Sequence, residues 1–113
     1  MTIPITTTTL ADGSTATADD IAVANCQNFA VHRFWITLGA GWAGAADVFI
    51  RGSSTGSGDW VNLNTAVDAV GHHVVEVERP FKFLQLHWTG NSGAKSITCR
   101  VEQFHSKQVG NGF

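Results

Sequence analysis

Charge is scarce in this chain. Only 14% of its 113 residues are Asp, Glu, Lys or Arg, with a formal net charge of −2 and a pI near 6.1. Such a balance supplies no general attraction for a phosphate backbone or an anionic lipid surface. The basic residues Arg33, Arg51, Arg79, Lys82, Lys95, Arg100 and Lys107 are dispersed rather than clustered, so neither nucleic acid nor membrane is expected as a direct partner. Cysteine is equally sparse. Cys26 and Cys99 are too few for a secreted disulfide scaffold and too far apart for a CxxC redox site or a zinc knuckle. Paired, they would close a loop nominally worth about 4 to 4.5 kcal/mol, but buried free thiols are the expectation in a reducing compartment. Long apolar runs are missing, and the Thr-rich opening lacks the basic and apolar regions of a secretion signal. Folding in a cytoplasm is therefore expected.

Apolar residues nonetheless make up 43% of the chain, enough for one domain that buries about 65% of its extended-chain surface. Turn signals recur too often for long helices: Asp12-Gly13-Ser14, Gly39 to Gly44, Gly52 to Gly58, Val70-Gly71 and Thr89 to Gly93. Between them the period is two. Phe34, Ile36 and Leu38 share one face, with Arg33, Trp35 and Thr37 opposite; Val48 and Ile50 oppose Asp47, Phe49 and Arg51. Val75 and Val77 alternate with Glu76 and Glu78, although Val74 falls on the glutamate side. Leu84, Leu86 and Trp88 oppose Phe83, Gln85 and His87, and Ile97, Cys99 and Val101 oppose Thr98, Arg100 and Glu102. With WVNLNT, IPITTTT and DIAVANC added, about seven or eight strands are expected. One sheet of that size would leave an apolar face wet, and two packed face to face would not. The expected fold is an all-β antiparallel β-sandwich, jelly-roll-like, with a small barrel as the alternative. Residues 1–20 read as an N-terminal strand or arm, 21–105 as the sandwich body and 106–113 as a flexible C-terminal tail. Either end could reach a neighbour by strand addition or by lodging Phe113 in a pocket.

The segment GSSTGSGDWVNLNT, positions 52 to 65, invites a ligand-cradling interpretation. A phosphate loop needs GxxxxGK and a following helix, whereas this stretch has no lysine and leads into β-prone WVNLN. A calcium loop needs ordered oxygen ligands and a late bidentate Glu, and Asp59 stands alone. The segment is expected to be a flexible hairpin connection with glycines at positive φ and serines in water, after which Trp60 returns the chain to the core.

Catalytic signatures are also missing. Five histidines, His32, His72, His73, His87 and His105, occur without HExxH or GxSxG. Adjacent His72 and His73 would point to opposite sides of a strand, against a shared metal. Cys99 as nucleophile with His87 as base conflicts with its apolar alternation. Glu76 and Glu78 would stand roughly 6.6 to 6.8 Å apart along one strand, near the spacing of an inverting glycosidase pair, but one strand provides no cleft around a scissile bond. No enzyme activity, cofactor or metal is expected.

What alternation does leave outside is aromatic. Trp35, Phe49, Phe83, Gln85 and His87 fall on non-core faces, and Trp42 stands in the glycine-rich GAGWAGAAD turn. With Phe113 these residues form the candidate interface or ligand surface, suited to a subunit contact or to a carbohydrate-binding module stacking sugars on rings.

The series VFIRGSSTGSGDWVNLNTAV followed by HHVVEVERPFKFLQLHWTGNSGAKSITCRVEQF resembles the small β-sandwich proteins encoded among the virion genes of tailed bacteriophages. The likeness lies in Gly58-Asp59-Trp60 with Val61 and Leu63, in Pro80-Phe81-Lys82-Phe83, in the glycine-rich Thr89 to Thr98 and in the Thr-rich opening. A departure is the tryptophan content, Trp35, Trp42, Trp60 and Trp88. The resemblance implies a structural virion protein, a decoration, head-fibre, neck or tail component assembled in the host cytoplasm. It further implies a homo-oligomer, a trimer by preference, attached to a major capsid, portal or tail protein, with a host glycan as a further candidate partner.

Overall fold

The computed structural model of the protein describes residues 6–42, 46–78, 81–91 and 95–105. Its strands are β1 (Thr6–Ser14), β2 (Asp19–Ala22), β3 (Val31–Leu38), β4 (Asp47–Ser53), β5 (Val61–Asn62), β6 (Gly71–Val77), β7 (Phe83–Thr89) and β8 (Ile97–Phe104), with a 3-10 turn at Cys26–Asn28 between β2 and β3. They form two four-stranded antiparallel sheets, ordered β1-β8-β3-β6 and β2-β7-β4-β5. The inner faces of both sheets contribute to one continuous apolar core, as a two-layer sandwich requires.

The alternating positions fill that core. Phe34, Ile36 and Leu38 from β3 and Ile97, Cys99 and Val101 from β8 meet Val48 and Ile50 from β4 and Leu84, Leu86 and Trp88 from β7. All eleven are almost fully buried, so the period-two faces lie as expected. β1 departs from simple alternation. Its register against β8 shifts on both sides of Ala11, and the irregularity lets adjacent Leu10 and Ala11 both pack against the core. Residues 6–14 are thus a sandwich strand rather than a free arm.

Two strands are shorter than the sequence suggests. In DIAVANC the strand ends at Ala22, Val23 N–H adds one last bond to Leu84 O at 2.9 Å, and the chain then turns: Asn25 adopts a left-handed backbone, φ 54°, and opens the 3-10 turn, a conformation asparagine tolerates better than most side chains. WVNLNT contributes only Val61 and Asn62, because the Asn64 side chain takes over the ladder. Asn64 Oδ1 accepts the Ile50 N–H at 2.7 Å, and Val67 then pairs with Val48 as an isolated bridge.

The two ends of the sandwich differ. At one, Trp42 and Trp88 are wholly buried. Trp88 Nε1 and Asn91 Nδ2 both donate to Ala16 O at 3.0 Å, and Asn91 Nδ2 also donates to Lys95 O at 2.8 Å. At the other, polar His32 and Gln103 stand among the inward groups. Buried Gln103 donates from Nε2 to Ala24 O at 3.0 Å and to His32 Nδ1 at 3.3 Å, and accepts from Thr6 Oγ1 at 2.8 Å. Burial holds His32 below the usual imidazole range, with the Cys26 and Phe29 backbone pulling the other way.

Candidate functional site

At the polar end, the glycine- and serine-rich connection from β4 to β5 closes on its own carboxylate. Asp59 Oδ1 accepts from the Ser53 and Thr55 hydroxyls, and Oδ2 accepts from Ser54 N–H at 3.2 Å and Ser54 Oγ at 2.7 Å. Ser53 Oγ in turn accepts the N–H groups of Thr55 and Gly56 at 3.1 and 2.7 Å. Gly56 and Gly58 supply the positive φ the turn needs. The hydroxyl donors hold the Asp59 carboxyl well below the ordinary carboxylate range. The serines do not simply face water, as a flexible tip would. Hydroxyls and amides that could have cradled a phosphate are aimed at Asp59, whose own lone pairs are taken up and so offer little to a calcium ion. Trp60 does not return to the core either; it is half-buried under the Arg51 guanidinium, 5.9 Å from the ring centroid.

This loop forms one wall of a cleft of about 670 Å³, through Gly52, Ser53, Ser54, Asp59 and Val61. Cys26, Gln27 and Phe29 from the 3-10 turn form the opposite wall, and Phe81 and Lys82, just before β7, complete it. Each wall is fixed by contacts within the protein. Cys26 Sγ donates to Lys82 O at 2.8 Å, tying the turn to the segment before β7, and burial raises its thiol pKa. Phe29 stacks on His105 with ring centroids 5.3 Å apart and planes 20° from parallel. The Phe81 ring lies against Gly52 so closely that a Cβ there would stand 2.6 Å from it. The bare backbone at Gly52 is what lets the ring lie flat.

The surface residues expected from alternation fall on two opposite sides. Trp35 is on the outer face of the first sheet. Its Nε1 donates to Glu102 Oε1 at 2.7 Å, the Arg100 guanidinium lies 5.4 Å from its ring centroid, and its β6 register partner is exposed Val74. Beside it, Arg33 pairs with Glu76 at 2.8 Å, the cross-strand partner that offsets the glutamates on that face. Phe83, Gln85, His87 and Phe49 share the outer face of the second sheet, but not as one platform. Phe83 pairs with Ser53, Gln85 with Arg51 and His87 with Phe49, which puts the two rings two same-face rows apart, roughly 13 Å along the strands. His87 Nδ1–H donates to Asp20 at 2.5 Å, whereas Gln85 is buried with Oε1 lacking a partner.

Trp42 corrects the reading of its turn. It is 0% exposed, with its Nε1 donating to Ala46 O at 2.9 Å, so it is a core residue and no part of the protein's own surface. The turn that Trp42 N–H closes on Gly39 O at 3.2 Å brings the indole back between the sheets, and a glycine-rich setting does not reveal that direction. Phe113 lies outside the described residues.

Cys99 and His87 do not meet, and His72 and His73 bond to separate partners. Cys99 faces inward from β8, where burial pushes its thiol pKa up to about 12, while His87 lies on the outer face of the other sheet. His72 shares a 2.9 Å hydrogen bond with Thr37, and His73 donates to Ala69 O at 2.7 Å. Among the described residues no three His, Cys, Asp or Glu side chains are grouped as metal ligands, and both cysteines are free and buried. The cleft itself was not foreseen. Phe81 had a sequence signal, a second aromatic just outside the alternation that begins at Phe83, whereas nothing local marks Phe29 or Gln27.

No family model matches the chain, and no match was found among curated proteins or solved structures.

Proposed function

We propose that the chain is a non-catalytic structural subunit of a tailed-bacteriophage virion: a jelly roll that decorates or connects head, neck or tail as a homo-oligomer, a trimer by preference. The observation that carries this reading is the nested pairing of strands. β1 pairs with β8, β2 with β7, β3 with β6 and β4 with β5, the arrangement of one long antiparallel ribbon rolled into two sheets. Jelly rolls of this kind are an architecture of viral capsid and lectin domains. The rolled ribbon leaves two broad outer sheet faces, and subunit contacts are commonly built from such surfaces with aromatic and Arg anchors.

The patch of Trp35, Arg100 and Val74 on the first sheet is the proposed centre of self-association. Trp35 is held in one orientation by Glu102 and Arg100, while Val74 is 51% exposed beside it. An anchor fixed before contact loses little side-chain freedom on binding. A larger capsid, portal or tail protein is the proposed second partner, in a virion assembled in the host cytoplasm.

Light scattering across a concentration series, with reductant present, tests this reading. A stable trimer is expected, with Trp35→Ala shifting it to monomer while the circular dichroism spectrum stays that of a β protein. A wild-type monomer at every concentration would remove self-association, and an unchanged Trp35→Ala oligomer would remove this patch as the contact.

A further inference from the structure

We propose that the cleft between the 3-10 turn and the β4-β5 loop is a binding site for a neutral saccharide of one or two rings. This goes beyond a structural role and does not depend on it. The cleft, about 670 Å³, falls in the range of small-ligand sites, about 300 to 1,000 Å³. It is also built in advance: the Cys26 thiol tethers one wall to Lys82 O, Phe81 is seated on Gly52, and Asp59 cinches the opposite loop. A ligand entering would pay little to organise these walls.

The lining selects the chemistry. Phe29, Phe81 and Val61 present apolar surface, and Val61 is 52% exposed at the cleft wall, which suits the C–H face of a sugar ring. Gln27 contributes an amide that both donates and accepts, Lys82 an ammonium donor and Ser54 a hydroxyl oxygen with acceptor capacity left after it donates to Asp59. These partners match hydroxyl groups. The single carboxylate, Asp59, is occupied by the loop's own donors, so it offers no strong attraction to a cation. Lys82 and Asp59 carry opposite formal charges on the same lining, so neither sign of ligand is favoured overall. A polyhydroxylated molecule without net charge satisfies both conditions.

The site differs from the outward aromatics of the two sheets. Trp35 lies on the outer face of the first sheet, and Phe49 and His87 on the outer face of the second; none of them lines the cleft.

The test is an amide NMR titration of the full chain with methyl glycosides of glucose, galactose, mannose and N-acetylglucosamine, and with lactose and maltose. At least one probe is expected to shift the Gln27, Phe29, Val61 and Lys82 amides with a Kd of about 1 mM or tighter. Val61→Trp, a substitution at an exposed position that fills the cleft, and Lys82→Ala should each weaken that probe at least about tenfold. Absence of shifts with every probe overturns the proposal. So do shifts confined to the outer sheet faces, or unchanged affinity in a folded Val61→Trp protein. The wild-type shift map decides even where a variant fails to fold. Solution mass, which tests the virion reading, is a separate readout, so either reading can fail alone.

Discussion

Replacing Trp42 with alanine should be among the most damaging single changes in the protein. The indole is 0% exposed and its Nε1 is satisfied by Ala46 O at 2.9 Å. A buried aromatic of this kind removes about 150 to 250 Å² from water, which at about 25 cal/mol per Å² is roughly 4 to 6 kcal/mol. Measured Trp or Phe truncations cost about 3 to 5 kcal/mol, because the surroundings relax only partly into the space. Against a typical stability of about 5 to 15 kcal/mol, that is about a fifth of the total or more. With a urea m-value near 2 kcal/mol per M, the midpoint should fall by roughly 1.5 to 2.5 M. Trp42→Phe keeps most of the apolar area but strands the Ala46 carbonyl, so about 1 to 3 kcal/mol is expected from the lost bond and the smaller ring together. Trp35→Ala is the control, because that ring is only half-buried and should cost the isolated subunit about 1 kcal/mol. The assay is urea unfolding followed by circular dichroism. A Trp42→Ala loss below about 1 kcal/mol, or one no larger than that of Trp35→Ala, would refute the placement of Trp42 in the core.

Protonation should also destabilise the polar end. His32 is buried and its pKa is lowered in the folded state, so the unfolded chain binds the proton more readily. Its contribution is complete above the ordinary value near 6.5 and fades as pH falls through the folded value; urea midpoints between pH 7.5 and 5 should decline, and less steeply in His32→Gln. Asp59 titrates lower still. Its folded pKa is depressed, so its support of the loop is present above about pH 4 and lost on further acidification. In Asp59→Asn, faster amide exchange at Thr55 and Gly56 is the expected result, and unchanged exchange would remove the carboxylate as the loop's organiser. Gly52→Ala places a Cβ 2.6 Å from the Phe81 ring, so a loss of about 1 to 3 kcal/mol is expected from overpacking. A neutral Tm would mean the ring is free to move aside.

Much of the sandwich was legible because its signal is local. Alternation at Phe34, Ile36 and Leu38, or at Ile97, Cys99 and Val101, follows directly from the strand's two-residue repeat, and these residues are buried as that repeat demands. It also puts Trp35 and Phe49 outside, where the structure has them half-exposed. Where the backbone leaves the repeat, the inference stops. Leu10 and Ala11 enter the core together because β1 slips in register, and Trp42 enters because a turn folds back. Gln85 shows a different limit. It lies on an outer face by register and is nonetheless 8% exposed, so strand register alone does not set burial. The cleft was least legible of all, since Cys26 and Lys82 meet across 56 positions and a three-dimensional concavity has no period.

The contrast between the two ends of the sandwich connects these observations. At the end holding Trp42 and Trp88, large side chains fill the space between the sheets, and Asn91 ties the β1-β2 connection to the chain just before β8. At the opposite end polar His32 and Gln103 face inward beside Val77 and Leu84, and the β4 position facing the core is Gly52, which has no side chain to fill volume. Short hydrogen-bonded ties replace bulk: the Cys26 thiol to Lys82 O, the Gln103 amide to Ala24 O, and the Asp59 knot. Hydrogen bonds of this sort set the spacing of the walls, because each weakens outside a narrow range of distance and angle. That is how so small a domain keeps a preformed cleft at one end while drawing much of its apolar stabilisation from the other.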